Sequence, residues 1–129
     1  MAGKKIKFRE LTTVSGANVI MGKDENSNDE LMKQYEGKEN TIIHTSSPGS
    51  PFCVIKDSNP SKQDIKLSGQ ACASYSQDWR DNRKDVVVHV FTGKDISKRI
   101  WMKSGTWKVK NPEVIKIKKK DIEKIEREK

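Results

Sequence analysis

The sequence predicts an α+β fold: a mostly antiparallel or mixed β-sheet with one long helix and one short helix, in a single domain. Three observations lead there. Short β-branched and apolar runs, each bounded by Gly, Pro, Asn or Ser, recur along the chain, as strands closed by turns do. Between Asn59 and Asn82 the apolar residues instead recur at helical spacing. The chain has 129 residues, which suits one domain, and it shows no internal repeat and no linker to divide it.

Lys5-Ile6-Lys7-Phe8-Arg9 alternates basic and apolar residues and predicts a first strand. Asn18-Val19-Ile20-Met21, entered through Ser15-Gly16 and closed by Gly22, predicts a second. In the short helix that follows, Ser27 and Glu30 have capping-box spacing, Leu31 and Tyr35 share a face and Gly37 is the stop. Thr41–His44 and Phe52–Ile55 read as strands flanking the loop Ser46-Ser47-Pro48-Gly49-Ser50-Pro51.

Ser61 and Asp64 form the cap pair of the long helix, whose inner face is marked by Ile65, Cys72, Tyr75 or Ser76, and Trp79. Its small residues Ser68, Gly69, Ala71, Cys72 and Ala73 let it lie close on a sheet, and it ends near Asp81-Asn82. Asp85–Thr92 is the most strand-like run in the chain. After a basic connection from Gly93 to Gly105, Trp107–Lys110 and Val114–Lys118 alternate around Asn111-Pro112-Glu113 and read as a hairpin. The domain spans 1–118, with 119–129 as a charged C-terminal tail or short helix.

Hydrophobic residues make up 33% of the chain and charged residues 34%, which is a thin core but a patterned one. No stretch approaches the roughly 18–20 apolar residues of a membrane span, and no apolar segment follows the basic N-terminus. A cytoplasmic protein with no membrane partner is expected. Cys53 and Cys72 lack CxxC spacing and read as buried structural thiols.

The net charge of +8 is localised. Residues 94–120 carry 10 Lys/Arg against Asp95 and Glu113, whereas residues 1–93 carry 13 basic against 12 acidic and residues 121–129 carry 3 against 4. Such concentration attracts polyanions. In the expected hairpin, 110 pairs with 114, 109 with 115 and 108 with 116. Lys108, Lys110, Lys116 and Lys118 then share one face, with Trp107, Val109, Ile115 and Ile117 on the other. Lys108 opposite Lys116 costs stability unless an anion lies over both; a plain solvated lysine face is the competing reading. Lys94, Lys98, Arg99 and Lys103 extend the basic surface and favour nucleic acid, RNA before DNA. Trp101, beside Arg99 and Lys103, serves either as a stacking platform for a base or as a core residue.

An enzyme is not expected. There is no HExxH, no CxxC pair and no GxSxG, so no catalytic residue, metal ligand or cofactor is assigned. Asp29, His44 and Ser50 remain a weak candidate acid, base and nucleophile. Pro48-Gly49-Ser50 offers hydroxyls and backbone N–H groups to a phosphate, although it lacks the Gly-Lys-Ser/Thr ending of a Walker loop.

Gly22-Lys23-Asp24 followed by Asn28-Asp29-Glu30-Leu31 resembles the G-[KR]-[ND]…N-D-x-L signature that opens the NFACT-R domain. Ile42-Ile43-His44 and Pro48-Gly49-Ser50 resemble that domain's D-x-W-x-H…P-G-S block. Ser74-Tyr75-Ser76 is similar to its helix ending in Y-S, and Val86–Val90, Ser97-Lys98 and Gly105 to its V-x-V…V-x-K…G stretch. The similarity runs from about residue 15 to residue 118. Three positions depart from the pattern: Asn40 stands where the family has Asp, Ile42 where it has tryptophan, and Pro51 where a histidine often follows P-G-S. The resemblance implies an RNA-binding module whose partners are tRNA, rRNA or the ribosome, acting in translation quality control. A stand-alone version is expected, and since some stand-alone relatives are linked to DNA, DNA stays an alternative. A protein-interaction module docking on an acidic partner is the other alternative. No oligomeric state follows from the residues.

Overall fold

A computed structural model of the chain describes residues 7–98, 102–104 and 106–128. Its centre is a sheet of six strands: β1 (Arg9–Thr12), β2 (Asn18–Met21), β3 (Thr41–Thr45), β4 (Cys53–Ile55), β5 (Val86–Thr92) and β8 (Glu113–Ile117). They lie in the order β1-β2-β4-β3-β5-β8, every neighbouring pair antiparallel. Two short strands, β6 (Ile96–Ser97) and β7 (Lys108–Val109), pair in a separate ribbon. The α+β class and the antiparallel sheet are as expected.

The sheet is covered on both faces, which is why its middle strands read as unbroken apolar runs. On one face Val19, Ile43, Cys53, Ile55, Val86, Val88 and Ile117 meet Ala71, Cys72 and Ala73 of α2 (Lys62–Ser74), Trp79 of α3 (Gln77–Asn82), and Ile122 and Ile125 of α4 (Lys119–Arg127). On the other, Ile20, Ile42, Val54 and Phe91 meet Leu31 and Met32 of α1 (Glu25–Tyr35), together with Ile96 and Trp107. Ile42 and Ile43, adjacent in sequence, serve the two cores in turn.

The small residues of α2 act as predicted: a Cβ on Gly69 would lie 3.1 Å from Ile117 Cδ1, so the helix rides close on the strand. Ser61 and Asp64 form its capping box. Cys53 and Cys72 are buried free thiols. The Cys72 thiol reaches the Pro51 carbonyl at 3.4 Å, and burial pushes the Cys53 thiol up from its ordinary value.

Several expectations are corrected. The single long helix is two, because Ser76 leaves helical geometry and caps α3 by accepting the Trp79 N–H at 3.1 Å; among the described residues there are four α-helices and a 3-10 turn at Gly93–Asp95. Helix α1 starts earlier than Ser27. Asp24 is its N-cap and Ser27 the reciprocal partner, each accepting the other's backbone N–H, at 2.8 and 2.9 Å. The first strand is Arg9–Thr12, overlapping the expected Lys5–Arg9 run only at Arg9; Lys5 and Ile6 lie outside the described residues. Residues 119–127 form α4, with Ile122 and Ile125 buried.

The largest correction concerns the terminal hairpin. β7 and β8 do not pair: β7 pairs with β6, and β8 with β5, placing Ile117 beside Val86 and Ile115 beside Val88. β5 explains this. It is a seven-residue apolar strand whose outer edge needs a partner, and β8 supplies one while turning Ile115 and Ile117 into the helical core. Trp107 and Val109 belong to the opposite core. Asn111, in left-handed backbone at φ 45°, lies between the two strands. Lys108 is therefore not opposite Lys116.

Candidate nucleic-acid interface

The residues of the G-K-D…N-D and P-G-S motifs come together at one end of the sheet, as a polar clasp on the loop between β3 and β4. Asn28 projects from α1 and donates Nδ2–H to the Ser50 carbonyl at 3.4 Å, while its Oδ1 accepts the Phe52 N–H at 3.0 Å. Gly22 donates its N–H to the Phe52 carbonyl at 3.1 Å, and any Cβ there would collide with the Asn28 side chain. Glycine at 22 and asparagine at 28 are thus one steric unit. Inside the loop the Ser50 hydroxyl accepts the Thr45 N–H at 3.2 Å. Gly49 takes a left-handed φ of 92° and accepts the Gln77 N–H at 2.8 Å. The loop is held from three sides, leaving Ser46, Ser47, Pro48 and Gly49 exposed.

The next residue of α1, Asp29, holds the basic segment. Its carboxylate accepts from Trp107 Nε1 at 3.0 Å, from the Ser104 hydroxyl at 2.8 Å and from Lys98 Nζ at 3.4 Å. Lys98 also donates to the carbonyls of Lys103 and Thr106, both at 2.9 Å, and sits 5.4 Å from the centre of the Trp107 ring. All three ammonium donors are engaged within the protein. This half-buried charge pair holds residues 102–104 and 106–107 down beside the loop.

Between the loop and that segment lies a groove of about 410 Å³, lined by His44, Pro48, Gly49, His89, Lys103 and Trp107 among others. His44 and His89 are directly opposed on β3 and β5. The His44 ring stacks on Phe52, with centroids 4.2 Å apart and planes at 21°. Burial of His44, with a smaller contribution from neighbouring His89, pulls its pKa down from 6.5 to about 4, so the ring is neutral at neutral pH. The Asp29 carboxylate is turned to the basic segment, and the Ser50 hydroxyl accepts the Thr45 N–H.

Of the sequence-predicted basic residues, Lys103 is exposed at the groove, and Lys108 and Lys110 are exposed on the stretch that follows Trp107. Lys94 is exposed and paired with Glu39 at 2.8 Å. Lys116 and Lys118 are exposed on and just after β8, apart from Lys108 and Lys110. Arg99 and Trp101 lie outside the described residues. Sequence reasoning missed a second basic cluster. Arg9, Lys23 and Arg80 line a smaller concavity of about 270 Å³ on the other side of Gly49 and Ser50. Arg9 lies 4.2 Å over the Tyr75 ring, and Arg80 donates to the Tyr75 carbonyl at 3.0 Å. These three come from distant parts of a stretch with almost balanced charge, so no run in the sequence marks them.

Comparison with known proteins bears on this end of the molecule. A family model described as the NFACT protein RNA binding domain matches residues 7–111. An archaeal Rqc2 homolog, aRqcH of Methanocaldococcus jannaschii, is 32% identical over 71 residues, covering 54% of this chain and 11% of that protein. The C-terminal structure of the fibronectin/fibrinogen-binding protein of Streptococcus suis superposes with a TM-score of 0.79 at 20% identity, over 95% of this chain and 50% of that one. The chain thus spans a small part of the first relative and half of the second. Among the described residues, no helix is long and apolar enough to cross a membrane.

Proposed function

The chain belongs to the NFACT-R family of RNA-binding domains, and from that premise we propose that it grips single-stranded or splayed RNA across the Ser46–Pro51 loop, in tRNA, rRNA or the ribosome. One observation carries this reading. The loop presented by the family motifs forms a wall between two concavities, one lined by aromatic and imidazole rings, the other by Arg9, Lys23 and Arg80 with Asp24 and Glu25 among them. Unpaired bases offer faces to stack and edges to hydrogen-bond, and the His44 and His89 rings beside Lys103 suit them. Phosphates suit Arg9, Lys23 and Arg80, with Lys103, Lys108 and Lys110 as further contacts. Lys98 holds the groove's wall in place and does not touch phosphate. The archaeal relative's name ties it to Rqc2, which makes ribosome-associated quality control the natural setting.

Anisotropy titrations of unstructured RNA, duplex RNA and single-stranded DNA at several salt concentrations test this. Unstructured RNA is expected to bind tightest, with log affinity falling linearly in log salt. Replacing Lys103, Lys108 and Lys110 together by Gln is expected to lower affinity at least about tenfold and to flatten the slope by roughly 0.7 for each phosphate no longer neutralised. Unchanged affinity and slope remove those lysines from the interface, and equal affinity for DNA favours the DNA-binding alternative.

A further inference from the structure

The β8 edge of the sheet carries a further feature, built from residues that do not line the proposed RNA groove. Among the described residues β8 is the terminal strand and pairs only with β5. The direction of its backbone groups follows from the neighbouring ladder. Ser46 N–H donates to the Val87 carbonyl at 2.9 Å, and Gly93 N–H to the Asn40 carbonyl at 3.3 Å. In an antiparallel ladder this turns Val87, His89 and Phe91 toward β3, and Val86, Val88 and Val90 toward β8. Their partners Ile117, Ile115 and Glu113 then bond inward. The N–H and C=O of Val114 and Lys116 face outward, unpaired by the sheet.

Beside this free edge runs a groove of about 700 Å³ between β8, the first turns of α2 and the start of α4. Its floor is apolar, from Ile65, Val88, Ile115 and Ile117, and Lys62, Lys66, Lys116, Lys118 and Lys120 surround it. All five lysines are exposed. Only Glu113 and Asp121 oppose them in the groove, and Asp121 is already 4.0 Å from Lys66. On the other face of the strand Val114 is 62% exposed.

We propose that β8 is a docking edge for an extended acidic peptide segment of another protein, which adds as a seventh strand. The chemistry of the edge selects this occupant over others. Aliphatic floor and open backbone edge offer little to a nucleobase, which seeks aromatic faces, whereas strand addition uses the edge for affinity and alternate side chains for specificity. A second copy of this chain would bring lysines against lysines, the arrangement by which edge strands repel their own kind. An acidic strand reverses that sign. The required pattern follows from the pleat: apolar residues beside Ile115 and Ile117, alternating with Asp or Glu beside Lys116 and Lys118.

The test uses the full chain, labelled with ¹⁵N, and the probe peptide acetyl-Glu-Ile-Asp-Val-Glu-Ile-Asp-amide at low salt. Amide shifts are expected at 113–118 and 62–66, with slowed hydrogen exchange at Val114 and Lys116. Val114→Pro and Lys116→Pro each remove an outward N–H and leave the β5 ladder intact, so each is expected to weaken binding by roughly tenfold or more. Lys116→Gln, which keeps the N–H, is expected to lose only about two- to threefold. A scrambled peptide of the same composition that binds equally well overturns the proposal, as do proline variants with otherwise native spectra and unchanged affinity. Should those variants fail to fold, the scrambled peptide still decides. Displacement of the probe from residues 113–118 by oligouridine assigns the edge to nucleic acid and overturns it too.

Discussion

On the face covered by α2, α3 and α4, aliphatic side chains and one fully buried ring, Trp79, close the core over β2, β3, β4 and β5. On the opposite face α1 and the β6–β7 ribbon cover the sheet, and the Asp29 carboxylate ties the ribbon's connecting segment to the helix. The helical face is non-directional packing, so its energy is spread over many side chains. The Asp29 face is directional, so a few polar atoms decide both its stability and the shape of the groove. Residues that build the binding end are therefore the ones whose loss is felt locally.

Trp79→Ala is the largest expected effect on the helical face, about 3–5 kcal/mol of global stability, from transfer and cavity terms together. It also removes the Trp79 Nε1 donor that Glu126 accepts at 2.9 Å, leaving that carboxylate its contact with Arg83 at 2.8 Å. Urea denaturation measures it, and RNA affinity of the molecules still folded is expected to stay unchanged. Asp29→Ala is next, at about 2–3 kcal/mol, because it leaves Lys98 half-buried without its counter-charge and Trp107 Nε1 without an acceptor. Here the signature is local: exchange at 98–107 accelerates while the α2 amides keep their protection, and RNA affinity falls. Uniform loss of protection instead would show that the two faces are one cooperative unit.

His44 separates the faces by pH. Its ordinary value of 6.5 is lowered to about 4 in the folded protein, so the unfolded chain takes up a proton before the native one does. Its contribution is complete above pH 6.5, declines between 6.5 and 4, and is gone below. The loss is on the order of 2–3 kcal/mol. Urea midpoints at pH 7 and pH 5 in the native sequence and in His44→Gln measure this, and the variant is expected to lose the decline over that interval. Ser61→Ala, which removes the cap of α2 outside the RNA groove, is the smallest change, about 1 kcal/mol. It is expected to leave RNA affinity untouched.

Much of the scaffold is legible in the sequence because local chemistry and tertiary context agree. The Asn18–Met21 strand, the Ser61–Asp64 cap and the close-packing small residues of α2 each follow from spacing alone. The terminal hairpin is not legible. Trp107–Lys110 and Val114–Lys118 carry the same alternation, and only the unmet edge of β5 decides that β8 goes there while β7 goes to Ile96–Ser97. The start of α1 is hidden because Ser27 suits an N-cap as well as the third helical position that it fills behind Asp24. At the candidate site the motif residues stand out in the sequence, but their roles as clasp and wall do not. The charge excess of 94–120 divides between the β6–β7 ribbon segment and β8, and the Arg9, Lys23 and Arg80 cluster is a product of folding.

The central claim is that the loop Ser46–Pro51 and the segment anchored by Asp29 form one RNA-binding groove. Titrating the ¹⁵N-labelled chain with a short unstructured RNA reads this directly. The predicted result is concerted shifts of the Gly49 amide, the Trp107 indole N–H and the His44 and His89 rings, with one shared affinity that falls as salt rises. Shifts confined to the lysines of β8 and α4, with the Trp107 indole and Gly49 unmoved at saturation, would contradict it.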